Sequence, residues 1–168
     1  MQGNSMKNSL CKALAAVALL AAPLGAFAQI EERAAIQAAY DHANLASSKH
    51  DVKGACAHYT DDYENISSKG QSSKGAEERS MQIDFLLHTK TYQGTTKITD
   101  LKIEKNRAVV QVKEHVDCVT QDPQTRKFIH LVEDDTCSDE WIKTPQGWKL
   151  ARSRNLNSNI TVDGKKAD

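Results

Sequence analysis

Several patterns that would assign a function directly are missing from this sequence. There is no Cys-X-X-Cys pair, and the six histidines are scattered with no cysteine at metal-ligand spacing. No structural zinc is expected, and no other metal or cofactor. No basic run exceeds Arg152-Ser-Arg154, and no aromatics are interleaved with it. That removes the electrostatic footprint of a nucleic-acid partner. There is no Gly-X-Ser-X-Gly elbow to present a serine nucleophile, and there are no internal repeats.

Long apolar runs are also lacking, apart from Ala13 to Leu24. Lys7 and Lys12 precede that run, and Ala26-Phe-Ala28 follows it before Gln29, the layout of a cleavable secretory leader. The run is too short to span a bilayer comfortably, so residues 1–28 are expected to be removed and the product to be exported, periplasmic or secreted, with no membrane span left. Cys11 lies ahead of the run, where a lipid-attachment cysteine would not sit. Cleavage after Ala28 takes 28 of the 168 residues and leaves 140, enough for one domain with a single core. Losing Lys7 and Lys12 leaves 20 basic against 22 acidic side chains, a net charge near −2. The odd set Cys56, Cys118 and Cys137 allows at most one bridge, and three free thiols are the favoured state.

Ile36, Ala39, Tyr40 and Ala43 recur at helical spacing, which predicts a helix over Gln29 to Ser47. Asp51 is placed to cap a second, short helix with Val52, Cys56 and Tyr59 on one face. Tyr63 to Ser67 reads as a short strand, Ser68 to Gly75 as a turn-rich segment, and Ala76 onward as a third helix marked by Met81, Phe85 and His88. The period then changes. Lys97–Lys105, Ala108–Thr120, Lys127–Lys143 and Trp148–Arg154 alternate or run β-branched between short turn signals. Helices first and an antiparallel meander afterwards define an α+β class, with the helices gathered on one face of a curved sheet. The polar segment 155–168 is expected to fray as a C-terminal tail, leaving 29–154 as the folded domain.

Asp122-Pro-Gln-Thr125 suits a four-residue type I turn, which would set Glu114 opposite Glu133 and Val110 opposite Cys137. On that register Val110, Val112, Glu114, Val116 and Cys118 share a face with Ile129, Leu131, Glu133, Asp135, Cys137, Asp139 and Trp141. The shared face is apolar at one end and acidic at the other.

His50-Asp-Val-Lys-Gly-Ala-Cys-Ala-His-Tyr-Thr-Asp-Asp-Tyr-Glu-Asn-Ile-Ser67 resembles the second helix and following strand of the nuclear-transport-factor-2-like superfamily, in its ketosteroid-isomerase-like and SnoaL-like branches. Lys69-Gly70 and Gly75-Ala-Glu-Glu78 look like that family's loop and third-helix start. Asp139-Glu-Trp-Ile-Lys-Thr-Pro-Gln-Gly-Trp-Lys-Leu150 looks like its closing hairpin. The resemblance spans most of residues 30–154. It implies a cone-shaped, strongly curved antiparallel sheet wrapped around about three N-terminal helices, a pocket at one end, and homodimerisation through the outer sheet face. Members of the family include isomerases, dehydratases and cyclases as well as domains that only bind, so the fold leaves the activity open.

Counted against the family's isomerase, the proton-shuttling aspartate falls on Ser67, a hydroxyl with no useful basicity near neutral pH. The protonated acid of a late strand falls on Asp139, and Tyr40 lies about a turn from the phenol position. Asp61 and Asp62 read first as the corner between the second helix and the first strand. The sharper candidates are Glu114, Glu133, Asp135 and Asp139, carboxylates expected to repel one another on a partly apolar face, or else to pair with Arg33, Arg79 or Arg152. Binding of a small molecule without catalysis is the expected function; the alternatives are an acid/base enzyme of the dehydratase, isomerase or cyclase type, with Asp139 and Glu133 as its candidate acid/base groups, and a non-catalytic dimerisation or interaction module of the cell envelope. Tyr40, Tyr63, His88, Glu114, Glu133, Asp139 and Trp141 are the expected lining of a small-molecule pocket.

Overall fold

The computed structural model describes residues 24–167, with side chains from Gln29 onward. The expected leader falls mostly on residues 1–23, outside that range. An alanine-rich stripe makes the first helix, α1 (Leu24–Ser48), and buries Ile36, Ala39, Tyr40 and Ala46 on one side. His50, at a positive φ of 56°, turns the chain, and the Asp51 carboxylate accepts from Gly54 N at 3.0 Å to cap α2 (Val52–Ala55). This is the cap expected from the sequence. Next come β1 (Tyr59–Ile66), β2 (Ser72–Lys74) and α3 (Gly75–Leu87). Four long strands follow in a meander, β3 (Thr89–Glu104), β4 (Arg107–Gln121), β5 (Phe128–Thr144) and β6 (Gly147–Val162), and the two-residue β7 (Lys165–Lys166) closes on β6.

The seven strands form one curved sheet in the order β2-β1-β6-β5-β4-β3, with β7 beside β6. The meander is antiparallel throughout, but β1 pairs with β6 in parallel, so the sheet is mixed rather than purely antiparallel. Shifts of register at Ile98/Asp100, Thr136/Cys137 and Glu140/Trp141 bend the long strands around α1. Gly94 lets the helix lie this close: a Cβ there would stand 2.6 Å from Asn44 Oδ1 on α1. Between helix and sheet lies an apolar core centred on Ile36, Tyr40, Val110, Val112, Trp141 and Leu150.

Three expectations need correction. The turn after β4 is two residues longer than predicted: Gln121 pairs with Phe128, and Asp122 N donates to Lys127 O. Glu114 therefore faces Asp135, not Glu133, and Val112 rather than Val110 faces Cys137. Because a two-residue slip is one full period of a strand, every side chain stays on its predicted face. Residues 155–162 do not fray; they complete β6, paired with Leu131 to Cys137. Finally, β1 and β3 begin earlier than expected, at Tyr59 and Thr89, so Tyr59 belongs to a strand. Cys56, Cys118 and Cys137 are free thiols.

Candidate functional site

Where α1 and α3 splay away from the sheet, they and the strands β1 and β3–β6 line a cavity of about 450 Å³. Its floor is the boundary between the apolar and acidic parts of the inner face. The meander's alternation aims Glu114 of β4 and Glu133, Asp135, Cys137, Asp139 and Trp141 of β5 inward. α1 contributes Tyr40, β1 Tyr59 and Tyr63, β3 Tyr92, and α3 Glu78 and Phe85.

At the deepest point, three side chains from two elements form a relay. Trp141 Nε1 donates to Tyr40 Oη at 2.9 Å, and the Tyr40 hydroxyl donates to Asp139 Oδ2 at 2.5 Å. The Tyr40 and Trp141 rings meet edge to face, with centroids 5.0 Å apart. Asp139 is only 1 % exposed, and among the described residues its Oδ1 has no hydrogen-bond partner. Ser153, across the ladder, comes near the carboxyl without meeting hydrogen-bond geometry. Removal from water lifts Asp139 from the usual 3.8 to about 6, against the opposing pull of the Tyr40 hydroxyl.

Glu114 sits beside this relay. Desolvation, reinforced by the charges of Asp139 and Asp135, pushes it up to about 8, while Thr96 Oγ1 at 3.4 Å and the Cys137 thiol at 3.8 Å offer weak opposition. Glu133 and Asp135 are both raised, chiefly by burial, with Glu133 further lifted by the Asp135 charge. Two residues of β6 steady them: Ser158 Oγ donates to Glu133 at 3.2 Å, and Asn155 Nδ2 donates to Asp135 Oδ2. Tyr40 and Tyr63 are held well above the ordinary phenol range, mainly by burial, and so stay neutral donors. Among the described residues, no three His, Cys, Asp or Glu side chains converge as metal ligands.

Six of the seven predicted lining residues, Tyr40, Tyr63, Glu114, Glu133, Asp139 and Trp141, meet around this cavity. His88 does not. It caps the C-terminus of α3, where its Nδ1 lies 2.8 Å from Asp84 O on the outside of the molecule, so the helical stripe of α3 ends before reaching it. Ser67 does line the cavity, and its hydroxyl accepts from Gln71 N at 3.2 Å. The arginines offered as partners for the inner acids are committed elsewhere. Arg33 bonds Ile98 O, Arg79 bonds Thr60 O and Asp61, and Arg152 pairs with Glu64 and Glu140. Asp61 is thus an exposed ion-pair partner rather than a cavity group. The sequence reading missed Asn155, Ser158 and Glu78. Glu78 is 6 % exposed and binds Ser73 Oγ and Asn65 Nδ2. Nothing local marks it, since two adjacent carboxylates in the first turn of a helix can both face solvent.

No family model matches the sequence, and no curated protein matches it. Solved structures do match in shape. A conserved protein from Planctomyces limnophilus aligns with a TM-score of 0.64 at 15 % identity, over 79 % of this chain and 98 % of its own. A hexachlorocyclohexane dehydrochlorinase from Novosphingobium barchaimii aligns with a TM-score of 0.62 at 15 % identity, over 82 % and 93 %. A nuclear-transport-factor-2-like protein with a cystatin-like fold from Novosphingobium aromaticivorans aligns with a TM-score of 0.57 at 15 % identity, over 78 % and 84 %. With helices packed inside a curved sheet and a cavity at the mouth, this chain has the nuclear-transport-factor-2-like cone fold.

Proposed function

We propose that this chain is an exported cone domain that binds a small molecule in the cavity bounded by Tyr40, Glu114 and Asp139. The observation that carries this reading is the buried Asp139 carboxyl with one oxygen unpartnered at the wall of a cavity of about 450 Å³. Most buried carboxyl oxygens are hydrogen-bonded, so one left without a donor beside a cavity suits a ligand that brings one. Export rests on the leader pattern of residues 1–28, and among the described residues no helix is long and apolar enough to cross a membrane. A homodimer through the outer face of the sheet belongs to the same proposal, and gel filtration at high concentration tests it. Recovery as a monomer there removes it.

A second reading, acid/base catalysis of the dehydratase, isomerase or cyclase type, is favoured by one contrast. With Asp139 near 6 and Glu114 near 8, neutral pH leaves one largely ionised and the other largely protonated on the same wall. A base and an acid of that kind can take a proton from one carbon and assist departure of a group from its neighbour. The dehydrochlorinase that shares the fold carries out an elimination, which keeps this chemistry in view.

A thermal-shift screen of a chemically mixed metabolite set, run on wild-type protein and on Asp139→Asn, tests the binding reading. Compounds that stabilise the wild type and lose their effect in the variant support it. A complete absence of stabilising compounds contradicts it and favours an envelope interaction module. Turnover of any hit, lost in both Asp139→Asn and Glu114→Gln, would establish the second reading.

A further inference from the structure

The cavity presents carboxylates without a counter-charge. Glu114, Glu133, Asp135 and Asp139 face it from two adjacent strands, and among the described residues its lining includes no lysine, arginine or histidine. Oδ1 of the 1 %-exposed Asp139 is unpartnered, and so is Oδ1 of Asp135. Buried acceptors left without donors are costly, and the four acids repel one another when ionised. In the free protein protons relieve part of that repulsion, Glu114 being largely protonated at neutral pH, and a bound cation would take their place. A neutral ligand would supply the missing hydrogen bonds and leave the repulsion. An anion would add to it. A cation answers both deficits.

The kind of cation follows from the rest of the lining. The carboxylates border a volume of about 450 Å³ instead of converging as metal ligands, so a bare metal ion is a poor fit and an organic ammonium a good one. The other elements bring aromatic surface: Tyr59 and Tyr63 stack with centroids 4.1 Å apart, and Phe85 meets Tyr92 edge to face at 6.5 Å. Aromatic faces accept both an apolar ring and the positive end of an alkylamine.

We propose that the cavity recognises a primary arylalkylamine, with its ammonium at the Asp139, Asp135 and Glu114 carboxylates and its ring among Tyr59, Tyr63 and Phe85. This rests on the reading that the cavity binds a small molecule, and narrows it to one chemical class. Phenethylamine, 2-phenylethanol and phenylacetate share a ring and chain and differ chiefly in charge, so calorimetric titration of the full-length protein with each is diagnostic. Phenethylamine should bind at least about tenfold more tightly than the alcohol, and phenylacetate most weakly. Glu114→Gln and Asp139→Asn should each weaken the amine by about tenfold while leaving the alcohol within about twofold of wild type. If either variant fails to fold, Asp135→Asn, at the third carboxylate of the proposed ammonium site, should weaken the amine by about tenfold in the same way, and the wild-type ranking of the three compounds completes the test. An alcohol or acid that binds as well as the amine overturns this inference and leaves the small-molecule reading standing. Failure of all three compounds also overturns it, and the metabolite screen then decides separately whether the cavity binds anything.

Discussion

Adjacent carboxylates on β5 have opposite surroundings. Asp134 and Glu140 point to the outer face, where His115 stands 2.8 Å from the first and Arg152 3.2 Å from the second; on β4, Asp117 is matched by His130 at 2.9 Å. Glu133, Asp135 and Asp139 alternate with them on the inner face and meet only hydroxyls, an amide and one another. Strand geometry alone separates the two sets, since neighbours in sequence point to opposite sides of the sheet. Outside, each charge has a solvent-washed partner and contributes little. Inside, the charges are uncompensated and desolvated, so their protons are held toward neutral pH. The difference shows that the inner acids gain no stability from a counter-charge, and the proposed ligand is what would compensate them.

Neutralising an inner acid should change the protein most. The folded value of Glu114, about 8, lies above its ordinary 4.5, so between those values the folded chain binds more protons than the unfolded chain. This contribution is fully present below about pH 4.5 and is lost as pH rises through about 8. Wild-type stability should therefore fall between pH 5 and pH 8, by on the order of 3 kcal/mol from this one group. Glu114→Gln should flatten that fall in urea denaturation followed across the same pH range. A variant with the wild-type slope would show that Glu114 ionises freely.

A smaller loss is expected from Tyr40→Phe. Removing the hydroxyl takes the donor from Asp139 Oδ2 and the acceptor from Trp141 Nε1, leaving two buried polar groups unpaired at a cost of about 2 kcal/mol. Because the Tyr40 hydrogen bond holds Asp139 down, the Asp139 midpoint should rise in the variant. Denaturation at pH 7 and carboxyl NMR read the two effects separately. A stable variant with an unmoved Asp139 midpoint would dissolve the relay.

The outer face should yield least. Asp134→Asn removes an exposed pair with His115 and should cost below about 1 kcal/mol, with the difference shrinking further in high salt. A loss comparable to that of an inner substitution would erase the contrast between the faces.

Much of this arrangement can be read in the sequence, for reasons that also explain the misses. The inner face of β4 and β5 was recoverable from alternation and one Asp-Pro turn, and it survived a turn that is two residues longer because side-chain direction repeats every two residues. The second half of β6 was not recoverable. Its inward residues Asn155 and Ser158 hydrogen-bond acids across a polar cavity, so the apolar alternation that marks a strand vanishes just where the strand helps build the site. Glu78 hid for the same reason, as a charged residue in the first turn of a helix whose burial depends on Ser73 and Asn65 from β2 and β1. His88 was drawn in because helical spacing from Phe85 continues onto it, while the backbone leaves the helix there and turns its ring outward. The Tyr40–Asp139 contact joins residues 99 apart, and no local pattern announces it.

Carbon-13 titration of the side-chain carboxyl of Glu114 in the wild-type protein reads out whether the inner carboxylates are desolvated and uncompensated. The structure predicts a midpoint pushed up to about 8. A midpoint at the ordinary 4.5 would mean that water or a counter-charge reaches the inner face, and the contrast between the two faces would not hold.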